Sequence, residues 1–436
     1  MSRYTVRYRY IFGLRFVSGW IGVFFLCLSL SGSQADTTGL RLTGESESSQ
    51  RVSAFPEEEF EEWLPFGRRY IHRVSAELRP GRVVPSNAFL RGHNYQNRSI
   101  DESYTAHLKY AFQFRPGSRE GRLYGLPYQG IGFSVNTFEN REELGDPWSF
   151  YLFQGARILA LSPSLSVNYE WNLGLSWGWQ PFDMYYNSYN YSIGSRINAY
   201  LNADFYLNWM VTRQMDVFAG VSLSHFSNGN TKLPNSGVNV VAAKVGAAYY
   251  FNRDYDRYFP TTAIDRNYTR SMSYDLLLFG AWRSKGLKVE DGILPYSIKT
   301  FGVAGASFSA LYNLSRRIKV GGALDAIYDG SANVVYREDY SSSEGIRYVT
   351  PPVHEQMALG VSARLDYAMP FFTVSLGLGY DFIHAGTDLK SFYQMLALKI
   401  DMTRSTYLNI GYRLKNFETP NFLMLGVGFR FRHSQP

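Results

Sequence analysis

Strict alternation of apolar and polar side chains, segment after segment, limits what this chain can fold into more than any other feature. Leu165, Val167, Tyr169, Trp171, Leu173, Leu175 and Trp177 fall on one face of an extended segment, against Ser166, Asn168, Glu170, Asn172 and Ser176 on the other. Phe372, Val374, Leu376, Leu378, Tyr380 and Phe382 repeat the pattern against Thr373, Ser375, Gly377, Gly379 and Asp381. A sandwich would turn its polar faces to water, whereas a membrane barrel turns apolar faces to lipid and polar ones to its lumen. About sixteen such segments follow one another from Arg68 onward, and after residue 35 no run of about 18 apolar residues supplies a spanning helix. The expected fold class is all-β: a transmembrane antiparallel β-barrel of about sixteen strands in two eight-strand repeats, with one barrel favoured over two.

The chain ends refine this plan. Arg3, Arg7, Arg9 and Arg15 precede the apolar run Ile21 to Leu30 and then Ser33-Gln-Ala35, which predicts a signal peptide over 1–35. Cys27, the one cysteine, lies inside that run and not at its end, where a lipidation site belongs. The mature chain is thus expected to have no thiol for a disulfide or a metal. Residues 36–67 read as a polar periplasmic lead-in, its acidic run Glu57 to Glu62 solvated. Residues 68–252 form repeat 1 and 253–436 repeat 2. Long connections around 81–102, 178–194 and 329–355 alternate with tight turns at 162–164, 212–214, 313–317 and 403–405, placing the long loops outside. The inner connections 115–127 and 252–272 are longer than this pattern asks. The net charge of +7 is mild and spread along the chain, so no nucleic-acid surface is expected.

One hairpin carries chemistry. On its first strand Val217, Ala219, Val221, Leu223, His225 and Ser227 share the apolar, lipid-facing side, while the other side holds mostly small or polar residues, with Phe218 and Phe226 as exceptions. Asn239 joins the same side from the returning strand. An imidazole beside a serine hydroxyl takes up its proton, and a third group fixes the imidazole tautomer. His225 is the candidate base, Ser227 the nucleophile and Asn239 the orienting group; Asn228 and the Asn228-Gly229 turn are candidate oxyanion donors. Polar groups on a lipid face cost free energy unless they are partnered, so a cluster of them there suggests use. No other histidine shows metal-ligand spacing, His354-Glu-Gln-Met-Ala lacking a second histidine, and no cofactor is expected.

His225-x-Ser-Asn followed by Lys232-x-Pro-Asn-x-Gly237 resembles the signature of the lipid A 3-O-deacylase family, outer-membrane barrels that remove an ester-linked acyl chain from lipopolysaccharide. The resemblance covers 68–251. It implies a serine acyl-ester hydrolase of the bacterial outer membrane acting on lipid A of the outer leaflet. In that family a Glu completes the triad where Asn239 stands here. The run His225 to Gly229 with Asn239 is also similar to outer-membrane phospholipase A, which uses a Ser-His-Asn triad and calcium, so glycerophospholipid is a second candidate substrate. A non-catalytic structural or transport barrel is the third reading. Repeat 2 resembles repeat 1 with Asn416 at the His225 place and Glu418 at the Ser227 place, which makes it a degenerate half without a nucleophile.

Overall fold

The alternating segments become long strands in the computed structural model. It describes residues 70–432 apart from 117, 254–267, 269, 287, 290–291, 294–298, 339–345, 387, 390–391 and 416–418. The expected leader with Cys27, the lead-in with its acidic run, most of the 252–272 connection, and both Asn416 and Glu418 lie outside the described residues.

β1 (Tyr70–Val83), β2 (Glu102–Phe114), β3 (Tyr128–Phe138), β4 (Gly145–Ala160), β5 (Leu165–Trp179), β6 (Ile197–Met210), β7 (Met215–Ser227) and β8 (Val238–Tyr250) pair in sequence order. β8 then returns to β1, with Val74 opposite Tyr249 and Leu78 opposite Val245. Barrel 1 is closed there. The second half contributes β9 (Ser271–Ser284), β10 (Lys288–Val289), β11 (Gly292–Ile293), β12 (Thr300–Asn313), β13 (Ile318–Asp329), β14 (Val335–Glu338) and β15 (Ile346–Val349). It ends with β16 (Met357–Ala368), β17 (Phe372–His384), β18 (Phe392–Asp401), β19 (Thr406–Lys415) and β20 (Thr419–Arg432). β20 pairs with β9, closing barrel 2, while β10–β11 and β14–β15 are small hairpins outside its wall. Two short helices, α1 (Arg119–Tyr124) and α2 (Arg141–Leu144), sit in connections, and among the described residues no helix is long and apolar enough to cross a membrane.

Two closed eight-stranded barrels replace the single sixteen-stranded barrel that the sequence favoured. The physical reason lies in the lumens. Tyr128, Tyr151, Phe153, Tyr200 and Phe226 are buried in barrel 1 beside Glu77, Arg79, Lys109, Glu170, Asp204 and Lys244. An eight-stranded interior is just wide enough for side chains to fill it, whereas sixteen strands would leave them lining a water channel. Lys109 Nζ lies 2.5 Å from Glu170 and also pairs with Glu77; Lys244 Nζ lies 2.7 Å and Arg79 Nη2 2.8 Å from Asp204. Barrel 2 repeats the device with Lys399 between Asp366 at 2.7 Å and Asp275 at 3.0 Å, Arg364 on Asp325, and Arg413 on Asp381.

Candidate active site

β7 and β8 place His225 directly opposite Asn239, so both side chains project from one face of the sheet. That face is the outer one. Phe218, Ser222 and Phe226 of β7 are buried in the lumen, while Ala219 and Val221 of the alternate set are exposed. His225 Nδ1 lies 2.6 Å from Asn239 Oδ1, and His225 Nε2 lies 2.9 Å from Ser227 Oγ. An amide oxygen can only accept, so Nδ1 carries the ring proton and Nε2 is left to accept the Ser227 O–H. The three residues singled out in the sequence therefore form one continuous relay across the outer wall of barrel 1. Asn239 is fully buried, and its backbone carbonyl accepts from the Val84 N–H at 2.8 Å, which ties the orienting residue to the end of β1.

The crown above this pair is held by its own amides. Asn235 Oδ1 accepts the Asn228 N–H at 2.9 Å, Asn235 Nδ2 donates to Asn230 Oδ1 at 3.1 Å, and Asn228 Nδ2 donates to the Lys232 carbonyl at 2.7 Å. Asn228 was expected to hold an oxyanion. In the structure its backbone N–H and its side-chain amide are instead spent on closing the loop, which makes it a brace of the crown. Gly229 occupies the turn at φ +63.

Sequence reasoning passed over the residues that set the imidazole's surroundings. Gly237 has φ +72, and a Cβ there would stand 3.0 Å from His225 Cε1 and 2.8 Å from the Phe226 carbonyl, so the ring edge packs where only glycine leaves room. The Gly237 N–H donates to the Ser192 carbonyl at 2.9 Å and the Ser236 N–H to the Tyr191 carbonyl at 3.2 Å. The β5–β6 loop thereby supports the crown from the side. Asn235 and Gly237 are letters of the Pro-Asn-x-Gly run, and that run was the available signal.

Among the described residues, one carboxylate trio has the spacing to hold a cation, Glu77, Glu170 and Asp204. It sits in the lumen, on the far side of the barrel wall from Ser227. Arg79, Lys109 and Lys244 match its charge one for one. Its chemistry is that of a buried ion-pair network.

Fold and site together define a class: an all-β protein of two barrels with apolar outer walls, one of which carries a hydroxyl–imidazole–amide relay on its outer face. Comparison with known families narrows this. Residues 96–248 match the family Lipid A 3-O-deacylase (PagL), and 272–433 match Acyloxyacyl hydrolase, C-terminal domain. The chain belongs to the lipid A 3-O-deacylase (acyloxyacyl hydrolase) family, one match falling on each barrel. Among solved structures it is similar to Neisserial surface protein A, at 10% identity and TM-score 0.27 over 41% of this chain and 97% of that one. It is also similar to the translocator domain of the autotransporter NalP from Neisseria meningitidis, at 8% identity and TM-score 0.16 over 86% and 93%. No curated protein matches the chain.

Proposed function

We propose that this protein is an outer-membrane serine hydrolase that removes the ester-linked acyl chain at the 3 position of lipid A, in the outer leaflet. The relay Asn239–His225–Ser227, at 2.6 and 2.9 Å on a membrane-facing wall, is the observation that carries the reading. An acyl ester of a membrane lipid lies at the boundary between head group and chain, and an outward-facing site near the rim of a barrel meets it there. Ser227 Oγ attacks the acyl carbonyl while its proton passes to His225 Nε2. Asn239 holds the imidazole in the accepting tautomer, and the Gly229 N–H is assigned to the developing oxyanion. The ester C–O bond then breaks, and the sugar oxygen leaves with the proton from His225. Water, deprotonated by the same imidazole, releases the fatty acid and restores Ser227.

Mass spectrometry of lipid A from cells with and without the protein tests this. Loss of one 3-hydroxyacyl chain is the expected difference. Lysophospholipid in its place would assign the relay to glycerophospholipid, and unchanged lipids would mark a non-catalytic barrel.

A further inference from the structure

The two barrels touch at two heights, and the relay lies beside the gap between them. The lower contact sets the short-turn end of β17 against the wall of barrel 1: Trp171 of β5 meets Phe372 of β17 edge to face at 5.1 Å, within an apolar cluster that reaches Phe205 of β6. The upper contact is the crown. Ser284 Oγ donates to the Thr231 carbonyl at 2.8 Å, and the Ser284 N–H donates to the Asn230 carbonyl at 2.8 Å. A Cβ at Gly229 would come within 2.7 Å of Leu423 Cβ.

Burial agrees with this arrangement. Ser284 stands on the outer face of β9 in line with exposed Leu278 and Trp282, yet it is only 5% accessible. Leu423 is half-buried on β20, where Leu425, Val427, Phe429 and Phe431 below it on the same face are exposed. The crown thus crosses barrel 2 in order: Thr231 and Asn230 over β9, then Gly229 over β20. The next strand in the wall is β19, and its residue opposite Leu423 is Tyr412, also outward and half-buried. That direction along the crown leads to Ser227, so Tyr412 is the next outward residue of barrel 2 on the side of the relay, while barrel 1 offers Leu201, opposite His225, and Ala199, opposite Ser227. On β6 the stretch from Phe205, in the lower cluster, up to Ala199 spans about 20 Å at the usual strand rise, and on β5 the cluster reaches Leu173, opposite Leu201.

We infer that barrel 2 forms the second wall of the acyl-chain site, with Leu423 and Ser284 positioning the Ser227 crown and the ring of Tyr412 lining the chain to be cleaved. This rests on the hydrolase reading above. A bare eight-stranded barrel would open the relay to bulk lipid on all sides. The seam instead gives the scissile chain a bounded apolar slot, in which each buried methylene adds to binding. A head group remains free at the long-loop end.

The test uses the full chain in detergent micelles, with p-nitrophenyl esters of a short and a long acyl chain as probes. Tyr412→Ala is expected to lower kcat/KM for the long-chain ester by about tenfold, through KM, and to leave the short-chain ester unchanged, while Tyr412→Phe keeps both. Leu423→Ala is expected to lower kcat for both esters, and Leu423→Met to restore it. Leu324→Ala, on the exposed wall of β13, is the control and moves neither. Equal rates of the Tyr412→Ala variant and the parent on the long ester, or equal losses on both esters, overturn the inference. Loss of all activity in Ser227→Ala alongside either outcome leaves the hydrolase reading standing, whereas an active Ser227→Ala variant removes that reading itself.

Discussion

The two barrels are built alike inside and differently outside. Both lumens are packed with buried ion pairs: Lys109 and Lys244 with Glu77, Glu170 and Asp204 in barrel 1, Lys399 with Asp275 and Asp366 in barrel 2. Both close on eight strands. On the outer walls they part company, because barrel 1 turns a hydrogen-bonded imidazole, hydroxyl and amide toward the membrane side, under a crown tied by Asn228, Asn230 and Asn235. A filled lumen thus serves to make a rigid wall, and the hydroxyl, imidazole and amide mount on the wall's outer surface. Among the described residues, this relay is what distinguishes the outer wall of barrel 1 from that of barrel 2.

The sharpest break in that comparison comes from Ser227→Ala. It should leave both barrels assembled, as read by heat-modifiable gel migration, yet reduce ester hydrolysis by about 10³-fold or more, since the other members of the relay act only through the nucleophile. Persistence of near-parent activity would place the reaction elsewhere.

Next in size are the lumens, where the barrels should behave alike. Lys109→Ala leaves the Glu77–Glu170–Asp204 cluster one cation short, and Lys399→Ala leaves Asp275 and Asp366 without the cation between them, away from water. Each should cost about 3–5 kcal/mol, read as a lower urea midpoint in lipid vesicles. A large loss in one and none in the other would show that the two interiors are not equivalent.

Asn239 sharpens the comparison through the relay. Asn239→Ala removes the acceptor at 2.6 Å that fixes the His225 tautomer, and about a 100-fold fall in kcat is expected. Asn239→Glu retains the acceptor and adds a negative charge beside the ring. A carboxylate favours imidazolium, so the pH at which His225 becomes a free base rises. The rate rises with pH as that base is freed, so the midpoint of the pH–rate profile should move upward from the parent's, by about one unit. Coincident midpoints would detach Asn239 from the imidazole.

The smallest effect expected is at Gly237. Gly237→Ala meets both the left-handed backbone at φ +72 and the His225 ring, and about 1–3 kcal/mol of strain is expected. It should appear mainly as a lower kcat with the barrel intact on gels, because the strain falls on the His225 ring and on the crown. No change in kcat would show that the ring has room to shift.

Much of this was legible along the chain because a strand's period of two writes its surroundings into every second residue. β5 and β17 are read almost to the residue from Leu165 to Trp177 and from Phe372 to Phe382, and the sharing of one face by His225, Ser227 and Asn239 follows from parity and hairpin pairing alone. Parity does not say what covers a face. Tyr169, Trp171, Phe372 and Val374 were assigned to lipid, and they are buried instead in the seam between the barrels. Likewise the spacing of Asn228 and Gly229 after Ser227 suggested an oxyanion pair, but whether an N–H is free depends on Asn235, whose approach only the closed loop decides.

What the sequence determined by itself was the local pattern of the wall strands: strand, turn, inward or outward, and which three side chains share the outer face at His225. Closure was decided by tertiary structure, since β8 can pair with either β1 or β9 without altering a single residue's facing. The choice between them rests on how well Tyr128, Tyr151, Tyr200 and the Glu77 to Lys244 ion pairs fill an eight-stranded interior, a sum over side chains far apart in the chain.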